Sequence, residues 1–303
     1  MLIVLATLLP DLALIALGGW LVRRTGAEVW RGIDRINFDL LLPALLFLAA
    51  ARRPASLADL GTIGLSIWAL AGIGLLAGML LMPNAGPQAR LDFAGQWQTC
   101  WRFSTPLAFV AVAAFPDRVQ GLMGVAVGAG VPISNLLAVT VLSRGGGLGF
   151  GATLLRVALN PFLLASLAGL AVGLLDLHPP GPLMAMAQRL ADAAIPMALL
   201  SMGATLDWQA LHRPRPREAA FVAIKLLALP LAALVLGLVL GLPADQRAVL
   251  LLIAALPTAP SAHVLAGVFG ANPRPVATLI AQGTIAAALT LPVWMVLALH
   301  FQG

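Results

Sequence analysis

Two proline-containing segments in the two halves of the chain carry the polar side chains best suited to bind a small anion. The candidate binding residues are Arg102, Ser104, Thr105, Pro106, Thr258, Pro260, Ser261 and His263. Hydroxyl groups can donate hydrogen bonds to a carboxylate, and a guanidinium can pair with it through two parallel bonds. A proline within a membrane helix also frees a backbone carbonyl, which is tolerated only against protein or in a wet cavity. If two such interrupted helices cross, their N-terminal N–H groups and dipoles converge on one point, which predicts an anion site.

Each of these features also has a purely structural interpretation. The prolines can simply kink their helices, with serine and threonine hydroxyls bonding back to the backbone. Arg102 can extend to the cytoplasmic interface beside Trp97 and Trp101. His263 can be a hydrogen-bonded core residue rather than a group that contacts substrate or protons. Three amides, Asn135, Asn160 and Gln282, can line the same cavity or join helices to one another.

Three further charged residues are candidates for proton coupling, namely Asp39, Asp192 and Lys225. Carboxylates within membrane proteins often carry protons, and a buried lysine can lose its proton where an arginine cannot. The alternatives are again structural. Each aspartate can cap a helix segment or lie near an interface, and Lys225 can extend to the arginine-rich end of its span.

The chain contains an internal repeat. The sequence Asp39 to Leu46, with Pro43 at its centre, reappears from Asp192 to Leu200 around Pro196. A second proline follows each copy at nearly the same distance, 63 residues after Pro43 and 64 residues after Pro196. Repeated helix breakers in an apolar chain are typical of secondary transporters. We expect a first five-helix repeat over residues 1–146 and a second over residues 147–303, with the glycine run 144–149 near the joint.

Composition places the chain in a membrane. Of its 303 residues, 60% are hydrophobic and 10% are charged, and the mean hydropathy is +0.97. A soluble domain has about 25% charged residues. The net charge of +6 does not indicate nucleic-acid binding, because the basic residues are spread thinly and not interleaved with aromatic residues. The single cysteine, Cys100, and four scattered histidines predict no disulfide, metal site or cofactor.

The apolar segments predict ten transmembrane helices. They cover residues 2–22, 33–51, 59–82, 95–115, 119–142, 151–175, 184–206, 218–241, 247–270 and 275–299. With five spans in each half, the second repeat must enter the membrane in the opposite sense, so the repeat is inverted. Loops after odd-numbered spans hold eleven arginines and the other loops five. The positive-inside rule then predicts a protein of the inner (cytoplasmic) membrane with both termini on the non-cytoplasmic side.

Several short motifs, taken in order and spacing, resemble the auxin efflux carrier family, whose bacterial members are often described as malonate or malate permeases. The motifs are Asn37-Phe38-Asp39 with Pro43-Ala44-Leu45-Leu46-Phe47, Asn160-Pro161, Ile195-Pro196 with Ser201-Met202-Gly203-Ala204, Lys225-Leu226 with Pro230, and Pro257-Thr258-Ala259-Pro260-Ser261-Ala262. The resemblance implies an all-α protein of two inverted five-helix repeats with crossed, broken helices four and nine. It also implies a scaffold domain and a transport domain, each drawn from both repeats, that carry organic anions by an elevator mechanism. In the family each crossover usually carries an asparagine that contacts the substrate carboxylate, and here Ser104 and Ser261 take those positions.

We therefore expect a secondary transporter of small organic anions that works within the lipid bilayer, is driven by a proton or substrate gradient and is not an enzyme. One alternative is a sodium-coupled organic anion symporter of the bile acid symporter type, with Na⁺ in place of H⁺. A second is an intramembrane hydrolase that uses Ser261 and His263, and a third is a passive channel. A homodimer is compatible with the sequence.

Overall fold

Every regular element in the described part of the chain is a helix. The computed structural model describes residues 2–51, 57–84, 86–146, 151–152, 155, 158–205, 208 and 215–301. Its α-helices are α1 (Leu2–Thr25), α2 (Ala27–Ile36), α3 (Leu42–Ala51), α4 (Leu57–Met79), α5 (Pro87–Trp97), α6 (Thr105–Val112), α7 (Asp117–Gly145), α8 (Pro161–Leu174), α9 (Gly181–Thr205), α10 (Pro216–Ala223), α11 (Leu229–Val239), α12 (Ala244–Ala255), α13 (Ser261–Val268) and α14 (Pro273–His300). No strand occurs among these residues, so the predicted all-α class is confirmed for them.

Within the residues that the structure describes, five helical segments are long and apolar enough to cross a bilayer. They are Gly61–Met79, Asp117–Gly145, Gly181–Thr205, Pro216–Val239 and Pro273–His300. They fall in the third, fifth, seventh, eighth and tenth predicted spans. Together with the composition they identify a multi-pass membrane protein.

The fourth and ninth predicted spans are both interrupted. In the fourth span, α5 is followed by a 3₁₀ turn at Gln98–Cys100. A non-helical stretch comes next and ends where α6 begins at Thr105. The ninth span contains α12 and α13, separated by residues 256–260. Leu256 is extended at the end of α12, as expected for a residue that precedes a proline, and Pro257 and Pro260 have no N–H with which to continue the helix. The prolines therefore divide each span into two short helices.

Other prolines leave their helices continuous. A five-residue π-helical turn, Asn37–Leu41, lies just before Pro43, and a second one, Ile224–Ala228, lies just before Pro230. Pro230 cannot bond the carbonyl of Leu226, four residues earlier, and the indole N–H of Trp294 donates to that carbonyl instead, at 2.9 Å. A wider turn and a side-chain donor thus absorb the lost bond without a break.

Helix α1 packs closely against α9, which also contacts α2 and α3. A Cβ atom at Gly18 would lie 2.0 Å from the carbonyl oxygen of Leu200, and one at Gly203 would lie 1.9 Å from that of Ile15. Only glycine at both positions lets the two backbones approach this closely. This contact joins the first and second halves of the chain and holds α9 beside the interrupted helices.

Candidate functional site

The two interrupted helices contact one another at their breaks. The backbone N–H of Ser104 donates to the carbonyl of Pro257 at 2.9 Å, and the hydroxyl of Thr258 donates to the carbonyl of Thr99 at 2.8 Å. A third hydrogen bond runs from the side-chain amide of Gln98 to the carbonyl of Ala262, which lies in α13 just after the second break. The polar groups at one break thus bond the other break, which fixes the relative position of the two segments deep in the molecule.

Lys225 stabilises the end of the first half-helix of the ninth span. Its Nζ atom donates to the carbonyl of Ala254 at 2.8 Å, in the last turn of α12, and the side chain is buried. The last carbonyls of a helix lack partners within the helix and carry a partial negative charge. A lysine ammonium at this place satisfies one of them, so Lys225 acts here as a helix C-cap.

Arg102 lies between the two breaks and is 3% exposed. Its Nη2 atom donates to the Oγ atom of Ser261 at 2.7 Å. Nε and Nη1 are also buried, and neither has an acceptor among the residues that the structure describes. In the described residues no carboxylate pairs with this guanidinium. A buried cation without an acidic partner is costly, and an anion that supplies acceptors for the two remaining donors would remove that cost.

A cavity of about 40 Å³ adjoins Arg102. It is lined by Leu42, Leu45, Leu46, Arg102, Phe103, Thr105, Val131, Ser134, Asn135, Ile195, Ala198, Ala259, Pro260 and Ser261. The polar lining groups come from both breaks and from α7, whereas the apolar ones come from α3 and α9 and also include Phe103, Val131, Ala259 and Pro260. The space is sufficient for roughly three water molecules. In this conformation the site therefore matches a small ligand, and a larger one requires α3 or α9 to move outwards.

The structure brings four of the eight predicted binding residues to this cavity, namely Arg102, Thr105, Pro260 and Ser261. Ser104 and Thr258 are instead used in the bonds between the breaks. The side chain of Pro106 lies outside the described part of the structure. His263 is fully buried on another face of α13, where its Nε2 atom lies 2.6 Å from the hydroxyl of Thr205.

The two repeated aspartates lie away from the cavity. Asp39 is exposed and forms an ion pair with Arg35 at 2.6 Å, one helical turn earlier. Asp192 is exposed and accepts a hydrogen bond from Gln188 at 2.6 Å, again one turn earlier. In the observed conformation both carboxylates therefore serve contacts at the surface of the protein.

The three amides predicted from the sequence lie in three different places. Asn135 lines the cavity, whereas the side chain of Asn160 caps α8 by accepting from two backbone N–H groups. Gln282 lies in a different groove, near α10. Ser134 was not predicted, although its position beside Asn135 in a span that contains Pro132 is a usable signal.

Ser261 and His263 do not form a catalytic pair in this structure. The Ser261 hydroxyl accepts from Arg102, and the His263 Nε2 atom contacts Thr205. Two residues that are two positions apart on a helix point in different directions, so the imidazole cannot act as a base for the hydroxyl without a rearrangement of α13. The described residues also contain no group of three or more histidine, cysteine or acidic side chains that could hold a metal ion.

Comparisons with known proteins agree with the resemblance seen in the sequence. Residues 150–295 match a family described as "Membrane transport protein". A stretch of 119 residues is 40% identical to a protein of Rhizobium meliloti (strain 1021) named "Putative malonate transporter". That alignment covers 38% of this chain and 36% of the length of the relative. The predicted similarity to the auxin efflux carrier family, in a form like its bacterial malonate permeases, is thereby confirmed.

Proposed function

We propose that this chain, which over residues 150–295 matches the family described as "Membrane transport protein", is a secondary transporter of small carboxylate anions of the auxin efflux carrier type. The observation that carries the proposal is the environment of Arg102. Its guanidinium is buried where two interrupted helices meet, it lines a small cavity, and its Nε and Nη1 atoms have no acceptor in the described part of the chain. A carboxylate fits both the charge and the planar donor geometry of this group.

The lining of the cavity favours a short ligand over a bulky one. Beside Arg102, the hydroxyls of Ser261 and Thr105 and the amide of Asn135 supply polar contacts, while apolar side chains of α3 and α9 close the other side. A short carboxylate of the malonate type would bind with its charged end toward Arg102. The relative from Rhizobium meliloti, through its name, supports malonate as the first substrate to test.

The proposed transport cycle rests on an inverted repeat. Residues 1–146 and 147–303 would form the two five-helix repeats, with their interrupted helices crossing at the substrate. The bonds between the breaks, such as those from Ser104 to Pro257 and from Thr258 to Thr99, hold the crossing together as one body. That body would move past the rest of the protein in an elevator-type cycle in the cytoplasmic membrane.

We propose proton coupling rather than sodium coupling, because titratable groups are buried close to the crossing. Uptake measured with sodium replaced by choline separates the two possibilities. Unchanged uptake is expected for a proton-coupled carrier, and loss of uptake would instead identify the sodium-coupled symporter.

The function is tested by malonate binding and exchange with purified protein. We expect malonate to raise the thermal stability of the wild type, since a ligand that binds only the folded state stabilises it. The protein in liposomes should exchange external radiolabelled malonate for internal unlabelled malonate. Ser261→Ala should lose most of the stabilisation, because the hydroxyl both borders the cavity and orients Arg102. If neither malonate nor related mono- and dicarboxylates stabilises the wild type, the proposed function is wrong.

A further inference from the structure

A second buried polar cluster lies on the other face of α13, outside the cavity. The Ser201 hydroxyl donates to Oδ1 of Asp34 at 2.5 Å, and the Thr205 hydroxyl lies 2.6 Å from Nε2 of His263. Ser201 and Thr205 are one turn apart on α9, so they lie on the same face of that helix. Both titratable groups are buried, Asp34 with 9% exposure and His263 with none. Helix α9 thus contacts a buried carboxylate from α2 and a buried imidazole from α13 at positions one turn apart.

Of the two ring nitrogens of His263, one is in a hydrogen bond and the other is not. Nε2 lies 2.6 Å from the Thr205 hydroxyl, which is itself 3.1 Å from the carbonyls of Ser201 and Met202. The hydroxyl has a single hydrogen, so it donates either to a carbonyl or to Nε2, and the tautomer of the imidazole decides which. The other nitrogen, Nδ1, is buried and has no hydrogen-bond partner among the described residues. Burial disfavours a charged imidazole, so a proton on this histidine requires a negative charge nearby, and Asp34 is the buried carboxylate that the same helix contacts.

The charge on this cluster is balanced by Asp34 and His263 themselves. Both side chains are buried and contact hydroxyls one turn apart on α9, so opposite charges on the two groups attract one another. The other described titratable groups on the helices packed around the pair are exposed, except Asp92, which is half-buried. They are Arg23, Arg24, Glu28, Arg31, Arg35, Asp39, Arg90, Asp92, Arg189, Asp192, Arg274 and His300. With one shared proton the pair is neutral, and without it the pair leaves a buried negative charge, which is unfavourable.

The cluster is linked to the substrate cavity through α13. Ser261, which bonds Arg102, and His263, which bonds Thr205, are in the first turn of that helix. A dicarboxylate at Arg102 brings two negative charges to one positive charge, so the bound site retains an excess negative charge. A proton on the Asp34–His263 pair offsets it within a low-dielectric interior.

We propose that Asp34 and His263 form a shared proton-binding site whose occupancy is coupled to the binding of a dicarboxylate at Arg102. The proton enters from solvent, resides on the carboxylate of Asp34 or on the imidazole of His263, and leaves with, or after, the substrate. This inference rests on the proposed function. It specifies a coupling site distinct from Asp39, Asp192 and Lys225, the three residues that the sequence suggested.

The test measures proton uptake when malonate binds. Malonate, adjusted to the same pH, is added to weakly buffered wild-type protein at a pH where both of its carboxyl groups are ionised, and a pH indicator records the protons taken up. We expect a proton to be taken up for each malonate bound, and the dissociation constant to rise about tenfold per pH unit over the range in which the pair loses its proton. Asp34→Asn and His263→Gln should each bind malonate without taking up a proton, so their dissociation constants should be independent of pH over that range.

Glu28→Gln is the matched control, because it removes an exposed carboxylate from the same helix as Asp34. It should retain the proton uptake of the wild type. If Asp34→Asn does not fold, as judged by gel filtration, His263→Gln carries the test alone. Wild-type protein that binds malonate without taking up a proton would overturn the inference and leave the proposed function intact. Undiminished proton uptake in a folded Asp34→Asn or His263→Gln protein would do the same. Failure of the wild type to bind malonate would instead reject the proposed function.

Discussion

Replacement of Arg102 by glutamine separates a role in ligand binding from a role in structure. In the described part of the ligand-free protein, the side chain of Arg102 makes one hydrogen bond, to Ser261, and has no carboxylate partner. The substitution removes a buried charge, so the ligand-free variant should be at least as stable as the wild type. Hydrogen bonds to charged groups contribute about 1.5–3 kcal/mol, so the loss of one such bond should weaken malonate binding by roughly 10-fold to 150-fold.

The assay for Arg102→Gln combines thermal unfolding without ligand and titration with malonate. Arg118→Gln is the control, because Arg118 is exposed and pairs with Asp245 at the surface, away from the cavity. The control should retain wild-type affinity. An Arg102→Gln protein that unfolds at a clearly lower temperature but binds malonate with unchanged affinity would refute the reasoning, because the arginine would then be a structural residue only.

Two further substitutions test the framework around the site. Lys225→Met should lower the free energy of unfolding by about 1–3 kcal/mol, because the carbonyl of Ala254 is left without its donor. Thermal or denaturant unfolding in detergent measures this change, and unchanged stability would contradict the capping role. Gly203→Ala should lower the free energy of unfolding by about 1–3 kcal/mol in the same assay. The new Cβ would lie 1.9 Å from the carbonyl oxygen of Ile15, so α1 must move away from α9. Gly121→Ala is its control, because no atom lies within 4 Å of the corresponding Cβ position, and equal losses in the two variants would contradict the close packing.

The positions of the helix breaks could be predicted from the sequence, but the behaviour of other prolines could not. Pro257 and Pro260 are three residues apart, so two hydrogen bonds are lost within one turn and the helix ends. Pro196 lies within the continuous helix α9, and Pro43 follows a π-helical turn that does not interrupt its span. A single proline costs one backbone bond, and whether a neighbour or a wider turn supplies a replacement is decided by tertiary packing that a local motif does not contain.

The candidate site was predicted in part, for reasons that particular residues illustrate. Arg102 and Ser261 could be found because an arginine and a serine beside helix-breaking prolines are unusual within an apolar span. Asp34 was missed, since it stands among the charged residues of α2 and looks like part of a solvated face. A signal was present, because Trp30, Asp34 and Leu41 share one buried stripe with helical spacing. Identifying its partner, His263, required the fold.

The arrangement of hydrogen bonds between the two breaks explains why we propose the anion site at Arg102 and not elsewhere along the breaks. Interrupting two helices inside a membrane exposes carbonyls and N–H groups that the bilayer cannot satisfy. Lys225, Thr258 and the backbone of Ser104 satisfy several of them from within the protein, so these groups already serve the fold. Arg102 differs from them, because in the described part of the chain no carboxylate pairs with it and its Nε and Nη1 atoms, beside a cavity, have no acceptor. A site that is complete in every respect except for one anion is suited to bind that anion reversibly, which is what a carrier requires.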